Sequence, residues 1–131
     1  MDVRDAVEAD AGRLAALTDA PADVMRNLVH DRTVRVAERD EEIVGFVSYD
    51  ARKGTVHVTQ MEGDPAAYER LLEEPIRFAR TEGMAVELLA PENEPHLRKA
   101  AVAAGFEDVG RGPRFEGQPT IRLRMTIPET T

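Results

Sequence analysis

The stretch from Gly54 to Gly83 constrains this chain most, because it reads as a strand, a tight acidic turn and a long helix in immediate succession. Gly54-Thr-Val-His-Val-Thr-Gln-Met61 is rich in β-branched residues and alternates in side-chain size, as a half-buried strand does. Glu62-Gly63-Asp64 follows as a loop. Asp64 before Pro65 marks a helix start, since a carboxylate oxygen caps free N–H groups and proline fits the first turn. Tyr68, Leu72, Ile76 and Ala79 then share one face of a helix that runs to Gly83. Pro75 is expected to kink that helix or to split it after Glu74. A strand that delivers the chain into a helix N-terminus points backbone N–H groups outward, where they attract anions. A cofactor site is therefore expected there.

The 131 residues suit one domain, 1–131, burying roughly two thirds of the unfolded surface. The absence of cysteine excludes disulfides, thiolate zinc sites and cysteine nucleophiles. His30, His57 and His96 lie far apart, so no metal site is expected. The net charge of −8 argues against a general nucleic-acid binder, which needs a basic footprint. Lys53 and Lys99 are the only lysines; many acids with few lysines suggest a halophilic protein kept solvated by its charge. No apolar run approaches the roughly 20 residues that span a bilayer. Met-Asp-Val-Arg-Asp carries no basic-then-apolar signal, so the expectation is a cytoplasmic protein with no membrane partner.

The remaining segments read in order. Residues 2–7 suit a strand, and Glu8–Thr18 a helix with Ala11, Leu14, Ala15 and Leu17 on its apolar side. A short helix after Pro21 carries Val24, Met25, Leu28 and Val29. Thr33–Glu38 and Ile43–Asp50 form a hairpin around Arg39-Asp40-Glu41-Glu42, with Val44, Phe46 and Ser48 opposed to Ile43, Gly45, Val47 and Tyr49. Met84–Leu89 is a short apolar strand, expected to be buried on both faces and parallel to the strand before the long helix. A loop at 90–93 leads to a helix over Pro95–Ala104 stopped by Gly105, with Leu97, Ala101 and Ala104 buried. Phe106–Val109 is a strand, and Gly110–Pro119 an exposed loop with Arg111, Arg114 and Phe115 as candidate contacts to substrate or phosphate. Thr120–Ile127 is a final strand carrying Arg122 and Arg124, a candidate edge for pairing with a second copy in a homodimer. The order is β-α-α-β-β-β-α-β-α-β-β.

With this order the chain resembles the GCN5-related N-acetyltransferases, the GNAT superfamily, along nearly its full length. Four pieces carry the likeness. Val3-Arg4-Asp5-Ala6 with Asp10-Ala11 and Leu14-Ala15-Ala16-Leu17 resembles the family's first strand and helix. Val34–Val36 with Ile43-Val44-Gly45-Phe46 resembles its second and third strands. Val56–Gly83 occupies the acyl-CoA position, and Asn93 with Ala104-Gly105-Phe106 resembles the C-terminal segment. The resemblance implies an α+β, three-layer domain: a mixed, mostly antiparallel sheet of six to seven strands with helices on both faces. It implies an acetyl-CoA-dependent N-acyltransferase with a bulge-opened cleft beside the central strand. There the pantetheine pairs with backbone, the pyrophosphate meets the helix N-terminus, and an amine attacks the thioester directly. The acceptor would be an amine-bearing small molecule, a protein N-terminus or a lysine.

On that basis Thr59, Gln60, Met61, Gly63, Asp64, Ala66, Ala67, Tyr68 and Asn93 are candidate cofactor contacts. His57 and Glu62 are candidate bases, the first because imidazole exchanges protons near neutrality. The simpler readings are a half-buried strand histidine, a solvated loop acid and an ordinary capped turn. The sequence also departs from the family. Gln60-Met61-Glu62-Gly63-Asp64-Pro65-Ala66 stands where a glycine-rich phosphate loop belongs, with Pro65 removing a donor and two acids facing the phosphates. Ala101 replaces the tyrosine that in the family protonates the leaving thiolate. The alternative is a catalytically silent module of the same fold that binds CoA, another ligand or a protein.

Overall fold

The computed structural model describes residues 1–127. Its seven strands form one sheet, in the spatial order β1-β2-β3-β4-β5-β7-β6. β1 (Asp2–Asp5), β2 (Thr33–Arg39), β3 (Glu42–Arg52) and β4 (Thr55–Gly63) are antiparallel neighbours. β5 (Ala85–Pro91) lies parallel to β4, and β7 (Thr120–Met125) separates β5 from β6 (Glu107–Arg111). The two hairpins that bracket β3 turn at Asp40-Glu41 and at Lys53-Gly54, all four residues with positive φ, as two-residue turns between twisted strands require.

The helices are α1 (Ala11–Thr18), preceded by a 3-10 turn over Glu8–Asp10, then α2 (Ala22–Asp31), α3 (Tyr68–Glu82) and α4 (Pro95–Ala104). They cover the two sheet faces unequally. The larger core packs Leu71, Leu72, Ile76 and Ala79 of α3 and Leu97, Ala100 and Ala101 of α4 onto Val47, Tyr49, Val56, Met61, Val86, Leu88 and Leu123. The smaller core joins Ala11, Leu14 and Met25 of α1 and α2 to Val34, Val36, Ile43 and Phe46 at one end of the other face. That leaves the second face over β4, β5 and β7 polar. No helix among the described residues is long and apolar enough to cross a membrane.

Several expectations change in detail. Glu62 and Gly63 continue β4 instead of forming a loop. Ile43 shares the face of Phe46, because a bulge at Val44 lets Ala37 pair with Gly45 and Glu38 with Ile43. Pro75 does not split α3, which runs unbroken from Tyr68 to Glu82 with the proline ring buried in its apolar face. β5 is buried on one face only: Val86, Leu88 and Ala90 are inside while Leu89 is 38% exposed. Gly110 and Arg111 belong to β6, not to the loop. The last strand is not an edge, since β6 folds back outside it; β6 and β1 are the edges.

Candidate active site

β4 and β5 separate part-way along their length. Their parallel pairing runs from Thr55↔Ala85 to Val58↔Leu88 and stops there. Beyond that point β4 continues through Gly63 paired only to β3, and β5 through Pro91 paired only to β7. The cause is local. Tyr49 pairs with Val58 but Ser48 with Gln60, so Thr59 is an extra residue on β4, and such a bulge bends and twists its strand. The Thr59 hydroxyl meets the fully buried Ser48 hydroxyl at 2.8 Å, which fixes the bulge.

The backbone of β4 faces the gap with unused groups. Asp64 N–H donates to the Val44 carbonyl at 2.8 Å, continuing the register that sets Gly45 opposite Gly63. Antiparallel pairs alternate between bonded and non-bonded, so Gln60 and Glu62 bond to β3 while Met61 and Gly63 turn their amides towards β5. The Gly63 carbonyl accepts a long hydrogen bond from the Tyr68 hydroxyl, at 3.4 Å. Gly63 itself has φ +120°, and a Cβ there would lie 2.3 Å from the Val44 carbonyl oxygen.

At the closed end of the fork, polar side chains line the uncovered sheet face. Alternation places Ser48 and Asp50 of β3, His57 and Thr59 of β4, Glu87 and Leu89 of β5, and Arg122 and Arg124 of β7 on that side. Asp50 is the cross-strand partner of His57 on one side, and Glu87 its partner on the other. Arg32, just past α2, pairs with Asp50 Oδ2, while Asp50 Oδ1 is buried without a hydrogen-bond partner. Arg124 Nη1 donates to Glu87 at 2.8 Å and Arg122 Nε lies 3.4 Å from the same carboxylate. Gly112 folds over Leu89 and Thr120 and closes one side of this surface.

The open end of the fork is acidic. Burial pushes the Glu62 carboxyl up from its ordinary range; a hydrogen bond from Gln60 opposes this and the charge of Glu94 adds to it. Tyr68 is also pushed up, by burial first and then by Glu94, Glu62 and Asp64. Asp64 moves the other way, held down by the Ala66 N–H and by Arg39. For Glu62 the sign is set by its direction. Its folded pKa exceeds the unfolded value, so the native state binds the proton more tightly and loses stability as pH rises through that interval. Glu62→Gln is therefore expected to melt above the wild type at neutral pH, with the difference vanishing below the carboxylate range. A melting comparison at pH 3 and pH 7 checks it, and equal melting temperatures at neutrality would refute it.

The structure thus brings most of the candidate residues to one fork, in two groups. His57 and Thr59 stand at its closed end, and Gln60, Met61, Glu62, Gly63, Asp64, Ala66, Ala67 and Tyr68 line its open arm. Asn93 is exposed in the turn after β5, and Glu94, not Asn93, takes the N-cap position of α4. Arg111, Arg114 and Phe115 sit beyond β7, with Arg114 donating to the Gly117 carbonyl at 3.0 Å. Sequence reasoning missed Ser48, Asp50, Glu87 and Glu94. Asp50 and Glu87 had a legible signal, a carboxylate on the polar side of each strand flanking His57, once the register was known. No group of three or more potential metal ligands occurs among the described residues.

A mixed sheet forked between two parallel strands, with helices on both faces, is the fold of the GNAT acetyltransferases. Among solved structures, yncA of Salmonella typhimurium, solved with its cofactor acetyl-CoA, superposes with a TM-score of 0.81 at 16% identity, covering 100% of this chain and 96% of its own. The aminoglycoside 6'-N-acetyltransferase of Enterococcus faecium gives 0.79 at 16% identity, covering both chains fully at 100%. A point mutant of TTHA1254 from Thermus thermophilus gives 0.73 at 30% identity, over 88% of this chain and 93% of its own. No family model matches the sequence, and no curated protein matches it.

Proposed function

We propose that this chain is an acyl-CoA-dependent N-acyltransferase that moves an acetyl group from acetyl-CoA directly to an amine. The observation that carries the reading is the fork between β4 and β5. Its arms offer unpaired main-chain groups at Met61 and the Gly63 N–H on one side and the Leu89 carbonyl on the other, a fit for the amide-bearing arm of pantetheine. When bound, acetyl-CoA supplies the activated acyl group.

The chain's own residues then divide by distance from the closed end. A strand rises about 3.3 Å per residue, so Glu62 lies on the order of 10 Å along β4 from Val58, beside the far part of the arm. His57 lies next to the closed end and is the better base. Asp50, with one oxygen tied to Arg32 and the other unpartnered, is placed to orient the imidazole. The amine nitrogen joins the acyl carbon, the carbon–sulfur bond breaks, and an amine proton passes to His57. The sulfur leaves as the thiol once that proton reaches it. Ala101 is buried and carries no acid, and Tyr68 sits at the open end, so neither serves the sulfur. Asp50 is paired with Arg32, and Glu87 with Arg122 and Arg124, so these carboxylates do not select a charge on the acceptor, which is an amine of a small molecule or a protein.

Calorimetric titration with acetyl-CoA, followed by thiol release with a panel of amines, tests this at low and molar KCl. Binding with thiol release is expected, together with a higher melting temperature in molar KCl if the acidic excess is a halophilic trait. Binding without turnover would support a silent module of the same fold. No binding at millimolar donor would end the acyl-transfer reading.

A further inference from the structure

Acetyl-CoA ends in a nucleotide diphosphate, and the next step rests on the acyl-transfer reading above. A diphosphate at the mouth of such a fork is held by free N–H groups at the start of the following helix. In this chain those groups are already engaged. Position 65 is proline and has no N–H. Ala66 N–H donates to Asp64 Oδ1 at 3.0 Å, and Ala67 N–H to the Asp64 carbonyl at 2.9 Å. Tyr68 N–H donates to the Pro65 carbonyl. The Asp64 carboxylate therefore stands where an incoming anion would bind. The neighbouring cation, Arg39, is already paired with it at 3.1 Å. Glu62 and Glu94 add two more carboxylates at the same mouth.

We infer that Asp64 sets donor specificity: the enzyme reads a pantetheine thioester by its arm and leaves the nucleotide diphosphate unrecognised beyond Gly63. A working phosphate cradle with two or three charge-assisted hydrogen bonds would favour acetyl-CoA over acetyl-pantetheine by roughly a thousandfold. Here the two donors are used comparably. Salt also acts with the opposite sign. A cradle loses affinity for phosphate as salt rises, whereas repulsion from three carboxylates is relieved as the Debye length falls from about 10 Å at 0.1 M to about 3 Å at 1 M.

The experiment measures kcat/KM for acetyl-CoA and for S-acetyl-pantetheine with one amine acceptor across a KCl series. The uncharged thioester corrects for any effect of salt on the fold. The expected ratio of acetyl-CoA to acetyl-pantetheine is within about tenfold and rises with salt. Asp64→Gly, which frees the Ala66 N–H and removes the charge, raises the ratio by about tenfold. Asp64→Asn keeps an oxygen for the Ala66 N–H, preserving the turn, and raises it less, by about threefold. A wild-type ratio above about a hundred that falls with salt would overturn the inference while leaving acyl transfer standing. Use of neither thioester would overturn both.

Discussion

Gly63→Val is expected to lower the melting temperature by about 10–20 °C, from a loss of about 4 kcal/mol. Gly63 has φ +120°, and a Cβ built there would lie 2.3 Å from the Val44 carbonyl oxygen and 2.4 Å from Gly45 Cα. Both obstacles are main chain in the adjoining strand, so neither moves aside without parting β3 from β4. Two costs add: about 1–3 kcal/mol for a side chain in glycine-only backbone space and about 1–3 kcal/mol for overpacking. Gly63→Ala meets the same obstacles and falls nearly as far. Gly12→Ala is the control. It lies on an exposed face of α1 with nothing within 4 Å of a new Cβ, and is expected to stabilise by about 0.5–1 kcal/mol. Thermal denaturation of the three variants checks the set, and a Gly63→Val melt within a few degrees of wild type would refute the placement. The glycine is thus required by strand approach alone. Loss of donor affinity in Gly63→Val would report the fold, whereas the Asp64 variants report the phosphate end.

The parts of the fold legible in the sequence were those fixed by local chemistry. α4 runs from Pro95 to Ala104 as read, because proline suits its first turn and Gly105 takes the left-handed conformation that ends it. The buried face of α3 was equally plain from Tyr68, Leu72, Ile76 and Ala79. The parts that were not legible depend on partners. Whether Thr59 or Val44 is a bulge is decided by which residues oppose it, and both bulges reverse which side chains share a face. The interior position of β7 depends on where β6 folds, which no pattern within Thr120–Met125 encodes. Pro75 removes one helical hydrogen bond, but its ring is buried among apolar neighbours, and that tertiary packing outweighs a local preference. The site follows the same division. The strand-to-helix junction at Met61–Tyr68 was readable, while the juxtaposition of Asp50, His57 and Glu87 needed the register of three strands.

That juxtaposition gives the second large effect. His57→Ala is expected to reduce kcat by about 10²–10⁴-fold with little change in donor KM, since a positioned base acts on the amine proton and not on the thioester arm. The fold tolerates the change: His57 is half-buried on the uncovered side of β4, so the melting temperature moves by the equivalent of about 1 kcal/mol or less. Two readouts separate a base from a mere sheet residue. Added imidazole restores part of the rate of the variant, and Asp50→Asn lowers kcat less than His57→Ala does while leaving donor KM unchanged. Glu62→Gln, by contrast, keeps its turnover, because its carboxylate lies along the arm and away from the closed end. Should His57→Ala retain turnover within a few-fold of wild type while Glu62→Gln loses it, the roles of the two ends of the fork would be exchanged. The reacting carbon would then have to lie near Gly63, and the free amides of β4 would hold the acyl end of the donor instead of its middle.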